Sequence, residues 1–258
     1  MRLIINADDF GLTEGICSSI LELIDKGAVT STSVMIAAHN SKEIFKRISN
    51  VREEIVFGAH LQITNGRPIS PREKVLSLID KSTGEFLPKT EISTVVPSEV
   101  KIEWKAQIEL IQELCKRTIS HLDSHHGIHR KLNLQTKYLQ LAKEYEVPIR
   151  GGTEDELIKF PLPHGIVQTI AINSWTGRGR SWKDLAEILL DFRSRYTEHD
   201  ILEVVTHPGY TDQELRNVSS LSDLRENDHR QLLELNNSNW LHDNGFELIQ
   251  FSELLSIN

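Results

Sequence analysis

Apolar and polar positions along the 258-residue chain follow two alternating rhythms. Short apolar runs of strand length are separated by longer segments whose apolar residues return every three or four positions, the spacing of amphipathic helices. "RLIINA" (2–7) reads as a strand, and "EGICSSILELIDKG" (14–27) as a helix closed by Gly27. "VTSTSVMIA" (29–37) is rich in β-branched residues and reads as a second strand. "EIVFGAHL" (54–61) gives a third strand and "TISHLDSH" (118–125) a fourth. Between these two, "VPSEVKIEWKAQIELIQELCKR" (96–117) carries the strongest helical pattern of the chain, with Ser98 as its expected N-cap. A helix over 134–146, a short strand near 148–150 and a helix near 181–195 follow. "DILEVVTHPG" (200–209) reads as a strand, "HRQLLELNNSNWLHDNG" (229–245) as a helix and "FELIQ" (246–250) as a last strand. Region 151–180 gives no clear pattern.

Strand–helix alternation predicts an α/β protein with a parallel sheet. Seven or eight such units predict a closed or nearly closed (β/α) barrel of the TIM-barrel type. An open doubly wound sheet is the alternative, but no glycine-rich phosphate fingerprint follows the first strand. No repeat, low-complexity tract or linker divides the chain, so 1–258 is expected to form a single domain. The stretch 65–97 carries Gly66, Pro68, Pro71, Gly84, Pro88 and Pro97 and is expected to be an insertion over one barrel face.

Composition narrows the function classes. A net charge of −8 argues against nucleic-acid binding, which needs a basic face to displace counterions. No apolar run approaches the roughly 20 residues of a membrane span. The start "MRLIINADD" lacks the apolar core of a secretion signal, so a cytoplasmic location is expected. Cys17 and Cys115 show no CxxC spacing and read as reduced, buried thiols.

Active sites of (β/α) barrels sit at the carboxyl ends of the strands, and four polar clusters fall at such ends. Asp8 and Asp9 close the first strand, and His60 closes the third. His121, Asp123 and His125 alternate along and just past the fourth, so a period of two points them one way. Glu203, Thr206 and His207 close the strand near 200–209. One carboxylate with two imidazoles is a common ligand set for a divalent ion. Two adjacent acids then divide the work: one binds the ion and the other stays free to take a proton. His125 and His129 stand four apart like a zincin pair, but Gly127 and the missing HExxH glutamate argue against that version.

"NADDFGLTEG", "GAVTSTSVM", "GAHL", "SHLDSHHGIH" and "THPGY", in this order and spacing, resemble the YdjC-like (ChbG-like) carbohydrate deacetylases from Leu3 through Tyr210. The resemblance implies a barrel-like fold and metal-dependent removal of acetyl groups from N-acetylated amino sugars, such as N-acetylglucosamine-containing oligosaccharides. It implies Asp9, His60 and His125 as metal ligands, Asp8 as general base and His207 as general acid. The chain departs from the family pattern at His39–Asn40 and at Gly127. Asp123 is a candidate to orient a ligand histidine, or else to pair with a nearby arginine. Arg150 is a candidate partner for Asp8. One divalent ion is expected, magnesium or zinc first, with manganese and cobalt also compatible. The expected partner is a mono- or oligosaccharide, not a nucleic acid or membrane; oligomeric state stays open, with a homodimer among the options. A metal phosphoesterase and a non-catalytic sugar-binding protein are the rival readings.

Overall fold

Strand β1 (Arg2–Phe10) is buried along almost its whole length, as a strand of a parallel sheet covered on both faces must be. The computed structural model describes residues 1–50, 52, 54–153, 162 and 164–256. Its further strands are β2 (Ser31–Val34), β3 (Gly58–Leu61), β4 (Leu122–Ser124), β5 (Ile149–Thr153), β6 (Gln168–Ile172), β7 (Ile201–Thr206) and β8 (Glu247–Leu248). The first seven are parallel neighbours in chain order, and β7 and β2 both pair with β1, so the ring closes. The expected (β/α) barrel is therefore present, with seven strands in the closed ring. The short β8 shares an edge of β1 with β2: it pairs at Arg2 and Leu3, while β2 pairs from Asn6 onward.

Helices α1 (Glu14–Asp25), α2 (Ser41–Ser49), α3 (Pro97–Cys115), α4 (Leu132–Tyr145), α5 (Trp182–Arg195), α6 (Gln213–Val218), α7 (Leu224–Asn237) and α8 (Trp240–Asp243) complete the order. Around the barrel α1 and α5 pack on α7, α2 packs on α3, and α3 packs on α4. Leu3, Ile5 and Ala7 of β1 face this helical layer and belong to the main apolar core. Phe10, Phe45 and Phe57 join it as an aromatic cluster with ring centroids 5.0–6.5 Å apart. The alternate residues face inward. Ile4 packs with Ile201, Ile249, Phe251 and Leu254 in a separate apolar plug at the barrel floor. Above it Asn6, Ser33, Asp123, Thr169 and Glu203 form a fully buried polar layer. The interior thus grades from apolar floor to polar rim.

Several local expectations are corrected. The N-cap of α3 is Val96, not Ser98, because Pro97 takes the first helical position, where its missing N–H and fixed φ cost nothing. The helix expected over 229–245 starts at Leu224 and breaks after Asn237. Asn239 adopts φ 56, and α8 restarts beyond it. Helices α2 and α6 and strand β6 carry no expectation from sequence; β6 lies in region 151–180, of which 154–161 and 163 fall outside the described residues. Asn40, at one departure from the family pattern, occupies the left-handed N-cap of α2.

The stretch 65–97 forms short 3₁₀ turns and a bridge between Ile79 and Phe86. The backbone N–H groups of Ile69 and Ser70 donate to the buried Glu103 of α3 at 2.9 Å, and Arg67 N–H donates to the Ala37 carbonyl at 3.0 Å. Gly66 makes that approach workable: at φ +93 a Cβ there would lie 2.0 Å from the Ala37 carbonyl oxygen. Gly66→Ala is therefore expected to destabilise by about 2 kcal/mol or more, combining left-handed strain with a backbone clash. Urea unfolding of the variant measures it, and a loss below about 0.5 kcal/mol would show that this segment yields freely.

Candidate active site

Adjacent residues of a regular strand point to opposite faces, yet Asp8 and Asp9 are both buried beside the same imidazole. The reason is a bulge. Pairing between β1 and β2 slips between Ala7 and Phe10, and Asp9 takes φ 67, a left-handed conformation that aspartate tolerates better than most residues. Asp8 Oδ2 then lies 3.9 Å from His60 Nδ1, and Asp9 Oδ1 lies 3.4 Å from His60 Nε2.

The two acids meet different partners. Arg150 of β5 donates to both oxygens of Asp8 at 2.7 Å, and Asn6 donates to Oδ1 at 2.8 Å. The same guanidinium reaches Asp123 Oδ2 at 2.9 Å and donates from Nε to Glu203 at 2.7 Å, while Thr169 donates to the other Glu203 oxygen. Burial opposes the arginine's charge, but Asp123, Asp8 and Glu203 together raise its pKa well above the ordinary value. Asp9 instead pairs through Oδ2 with Arg225 of α7 at 2.6 Å. A cation in the first turn of a helix opposes the dipole there, so this carboxylate partner accounts for its position. Burial would raise the Asp9 carboxyl, yet Arg225, with His125 and His60, holds it well below the usual carboxylate range.

Asp123 does both things expected as alternatives: it pairs with Arg150 and accepts from His60 Nδ1 at 2.8 Å. That bond leaves Nε2 of His60 facing Asp9 Oδ1, and neither atom has a hydrogen-bond partner among the described residues. His125 Nδ1 completes the group, 3.2 Å from the same oxygen. Two bare acceptors at this distance repel unless positive charge lies between them. The surroundings favour such charge. Burial works against a charged His60, but Asp123 and Asp8 outweigh it and push its pKa up to about 10. Four buried carboxylates (Asp8, Asp9, Asp123 and Glu203) face two guanidiniums, leaving two negative charges in excess. Asp9, His60 and His125 could therefore hold a divalent cation. The neighbouring set of Asp8, His60 and Asp123 could not do so as readily, because its carboxylate oxygens already accept from Arg150, Asn6, Ser33 and His60.

His125 and His129 diverge, because His126 (φ 58) and Gly127 (φ 61) are both left-handed. His129 turns away to Ser124 Oγ at 2.6 Å and stacks on Tyr138. His121 lies deeper, stacked on Phe251 of the floor plug. His207, just past β7, sets Nε2 3.9 Å from Asp8 Oδ2 and Nδ1 3.0 Å from the Thr176 hydroxyl. Burial, opposed by Asp9 and Asp8, pushes its pKa down to about 4. A cleft of ≈ 250 Å³ opens over Asp8, His60, His125, Arg150 and His207.

The structure thus brings together Asp8, Asp9, His60, Asp123, His125, Arg150 and His207, and leaves His121 and His129 turned to other partners. Sequence reading missed Arg225, Thr176 and Asp228. A signal existed for two of them: Arg225 and Asp228 extend the buried stripe of Leu232 and Leu235 by helical steps, where apolar residues were due.

The barrel and its acid–histidine rim place the chain in the class of (β/α)-barrel proteins with an enzyme-type polar centre. A model of the YdjC-like protein family matches residues 2–243, and the chain belongs to that family. A carbohydrate deacetylase of Oceanobacillus iheyensis is 33% identical over 93% of this chain and 100% of its own length. One from Thermoanaerobacter pseudethanolicus is 30% identical over 98% of each chain. A crystal structure from Enterococcus faecalis V583, titled for cellobiose-phosphate cleavage, aligns over 98% of both chains with TM-score 0.86 and 28% identity. No helix among the described residues is long and apolar enough to cross a membrane.

Replacing Arg150 by Met would strand Asp8, Asp123 and Glu203 without their shared cation. The expected loss of unfolding free energy at pH 7 is about 3–5 kcal/mol. Burial would raise the Asp123 carboxyl, but Arg150, together with His60 and His121, holds it well below its ordinary pKa. The stabilisation Arg150 provides is therefore complete above the ordinary carboxylate range near 4 and lost as pH falls below it. Denaturation of both proteins at pH 7 and pH 3.5 should show the gap narrowing in acid; a gap that widens would refute this account of the centre.

Proposed function

We propose that the protein is a metal-dependent carbohydrate N-deacetylase that hydrolyses the acetamido group of N-acetylated amino sugars to acetate and a free amine in the cytoplasm. The observation that carries this reading is the convergence of Asp9 Oδ1, His60 Nε2 and His125 Nδ1, the first two with no hydrogen-bond partner among the described residues, flanked by Asp8 and His207. The names of the curated relatives support the substrate class. Asp9, His60 and His125 would hold one divalent ion, zinc or magnesium first and manganese or cobalt next, which when bound supplies Lewis acidity and an acidified water.

The remaining chemistry belongs to the chain's own side chains. Asp8, fixed by Arg150 and Asn6, keeps Oδ2 toward His60 and His207 and accepts the proton of the attacking water. Asp123 holds His60 by Nδ1 and so commits its Nε2 to the ion. His207 Nε2 gives a proton to the departing nitrogen, which cannot leave as an anion. A phosphoesterase reading is less favoured, because Arg150 and Arg225 are committed to carboxylates rather than free to clamp a phosphate. A non-catalytic sugar-binding protein would not need both Asp8 and His207 turned toward one cleft.

Incubation with N,N′-diacetylchitobiose should release acetate, stop with chelator and resume on adding back a divalent ion. Asp8→Asn should keep metal affinity while losing about 10²-fold or more in turnover, whereas His60→Ala should lose both. Calorimetric metal titration separates them, and equal loss of affinity in the two variants would mean that the acids have been assigned wrongly. His207→Ala should slow N-deacetylation about 10²-fold more than hydrolysis of an activated aryl acetate, whose leaving group needs no proton. Equal slowing of both substrates would remove His207 from the acid role.

A further inference from the structure

Behind His207 lies a second, fully buried carboxylate. Asp228 of α7 is 1% exposed, and its Oδ2 accepts from the Thr176 hydroxyl at 2.6 Å, from Gly177 N–H at 3.0 Å and from His207 N–H at 3.4 Å. Its Oδ1 accepts from Gly177 N–H at 3.2 Å. An oxygen that already accepts two backbone N–H groups has no proton to offer, so the hydroxyl between Asp228 and His207 must donate to the carboxylate. The hydroxyl oxygen then presents only lone pairs to His207 Nδ1, 3.0 Å away. Nδ1 must therefore be the nitrogen that bears hydrogen. Nε2, the atom 3.9 Å from Asp8, is left bare in the neutral ring.

We propose that Thr176 and Asp228 are positioning residues that fix the proton of resting His207 on Nδ1, so that Nε2 is the atom that takes up and delivers the catalytic proton. This rests on the reading of His207 as donor to the leaving nitrogen. The balance is that of amide hydrolysis. The attacking water forms the new C–O bond and gives one proton to Asp8 Oδ2. That proton passes to His207 Nε2 and then to nitrogen as the C–N bond breaks, its electron pair remaining on nitrogen. The imidazolium formed midway keeps Nδ1–H on Thr176, so charge appears on the ring without reorientation of its neighbours. The low pKa of about 4, set by burial against Asp9 and Asp8, agrees with a ring that is neutral at rest and charged only in passage. Arg225 and His60 also face it and oppose its charge.

The direct test is long-range proton–nitrogen-15 NMR on the histidine-labelled protein at pH 7.5, with His207 assigned by its loss in His207→Asn. The expected result is hydrogen on Nδ1 in the wild type, a shift toward Nε2–H or an average of both in Thr176→Val, and return of the wild-type pattern in Thr176→Ser. Asp228→Asn should perturb the tautomer as Thr176→Val does. Hydrogen on Nε2 in the wild type, or an unchanged tautomer in Thr176→Val, would overturn the proposal. In acetate release from N,N′-diacetylchitobiose, Thr176→Val should lose on the order of 10²-fold in kcat with KM little changed, and Thr176→Ser should recover most of it. A wild-type kcat in Thr176→Val would also overturn the proposal. The NMR readout does not require deacetylation. An inactive protein with the expected tautomer shifts would refute the proposed function while leaving the positioning role of Thr176 and Asp228 supported.

Discussion

One guanidinium holds the rim together. Arg150 offers five donors in a rigid plane, and the structure places carboxylates from β1, β4 and β7 around it. A buried ion is costly unless its partners are exact in number and direction, so these strands are held in mutual rotation by the same contacts that neutralise the charge. Everything above that plane inherits its placement. Asp8 is fixed by Arg150 directly, and His60 is fixed through Asp123, which Arg150 also touches. The barrel interior has an apolar plug at its floor, where Phe251 and its neighbours seal it; higher up, a polar layer shares the work of packing.

The bulge at Asp9 solves a problem that a regular strand cannot. Two successive residues must face one cavity and yet remain chemically distinct. The left-handed residue turns Asp9 inward beside Asp8, and the two guanidiniums keep them distinct, Arg150 on one and Arg225 on the other. Each arginine leaves its acid a different freedom: Asp8 has both oxygens held by Arg150 but one facing the cleft, whereas Asp9 gives Oδ2 to Arg225 and turns Oδ1 to His60 and His125. The local strain of the backbone is thereby tied to the division of labour between the acids.

Much of this was legible in the chain because burial and periodicity write themselves into residue type. The strands at 2–10 and 201–206 open as apolar, β-branched runs, and the polar residues at their ends and at those of 58–61 and 122–124 stood out as clusters. Asp8, Asp9, His60, Asp123, His125 and His207 could be found for that reason. Strand β6 could not, because "QTIAI" follows a stretch with no periodic lead. Helix α2 escaped because Asn40 starts it in a left-handed conformation without a side-chain cap. Ser98 misled because capping chemistry competes with the preference of proline for the first helical position, and proline prevailed. Arg225 and Asp228 were hidden by the ordinary expectation that charges on a helix face water.

Helix α7 acts as a ruler. Arg225 and Asp228 leave it three residues apart, one reaching Asp9 and the other reaching Thr176 and His207. The separation of those two arms is set by the helical rise of about 1.5 Å per residue, not by the drift of loops. Loop sequences around the cleft can therefore lengthen, shorten or change character without altering the distance between the two halves of the centre. A graft of this chemistry into another barrel would have to carry that single helical turn with it, because strand ends alone would supply the reactive groups without their spacing.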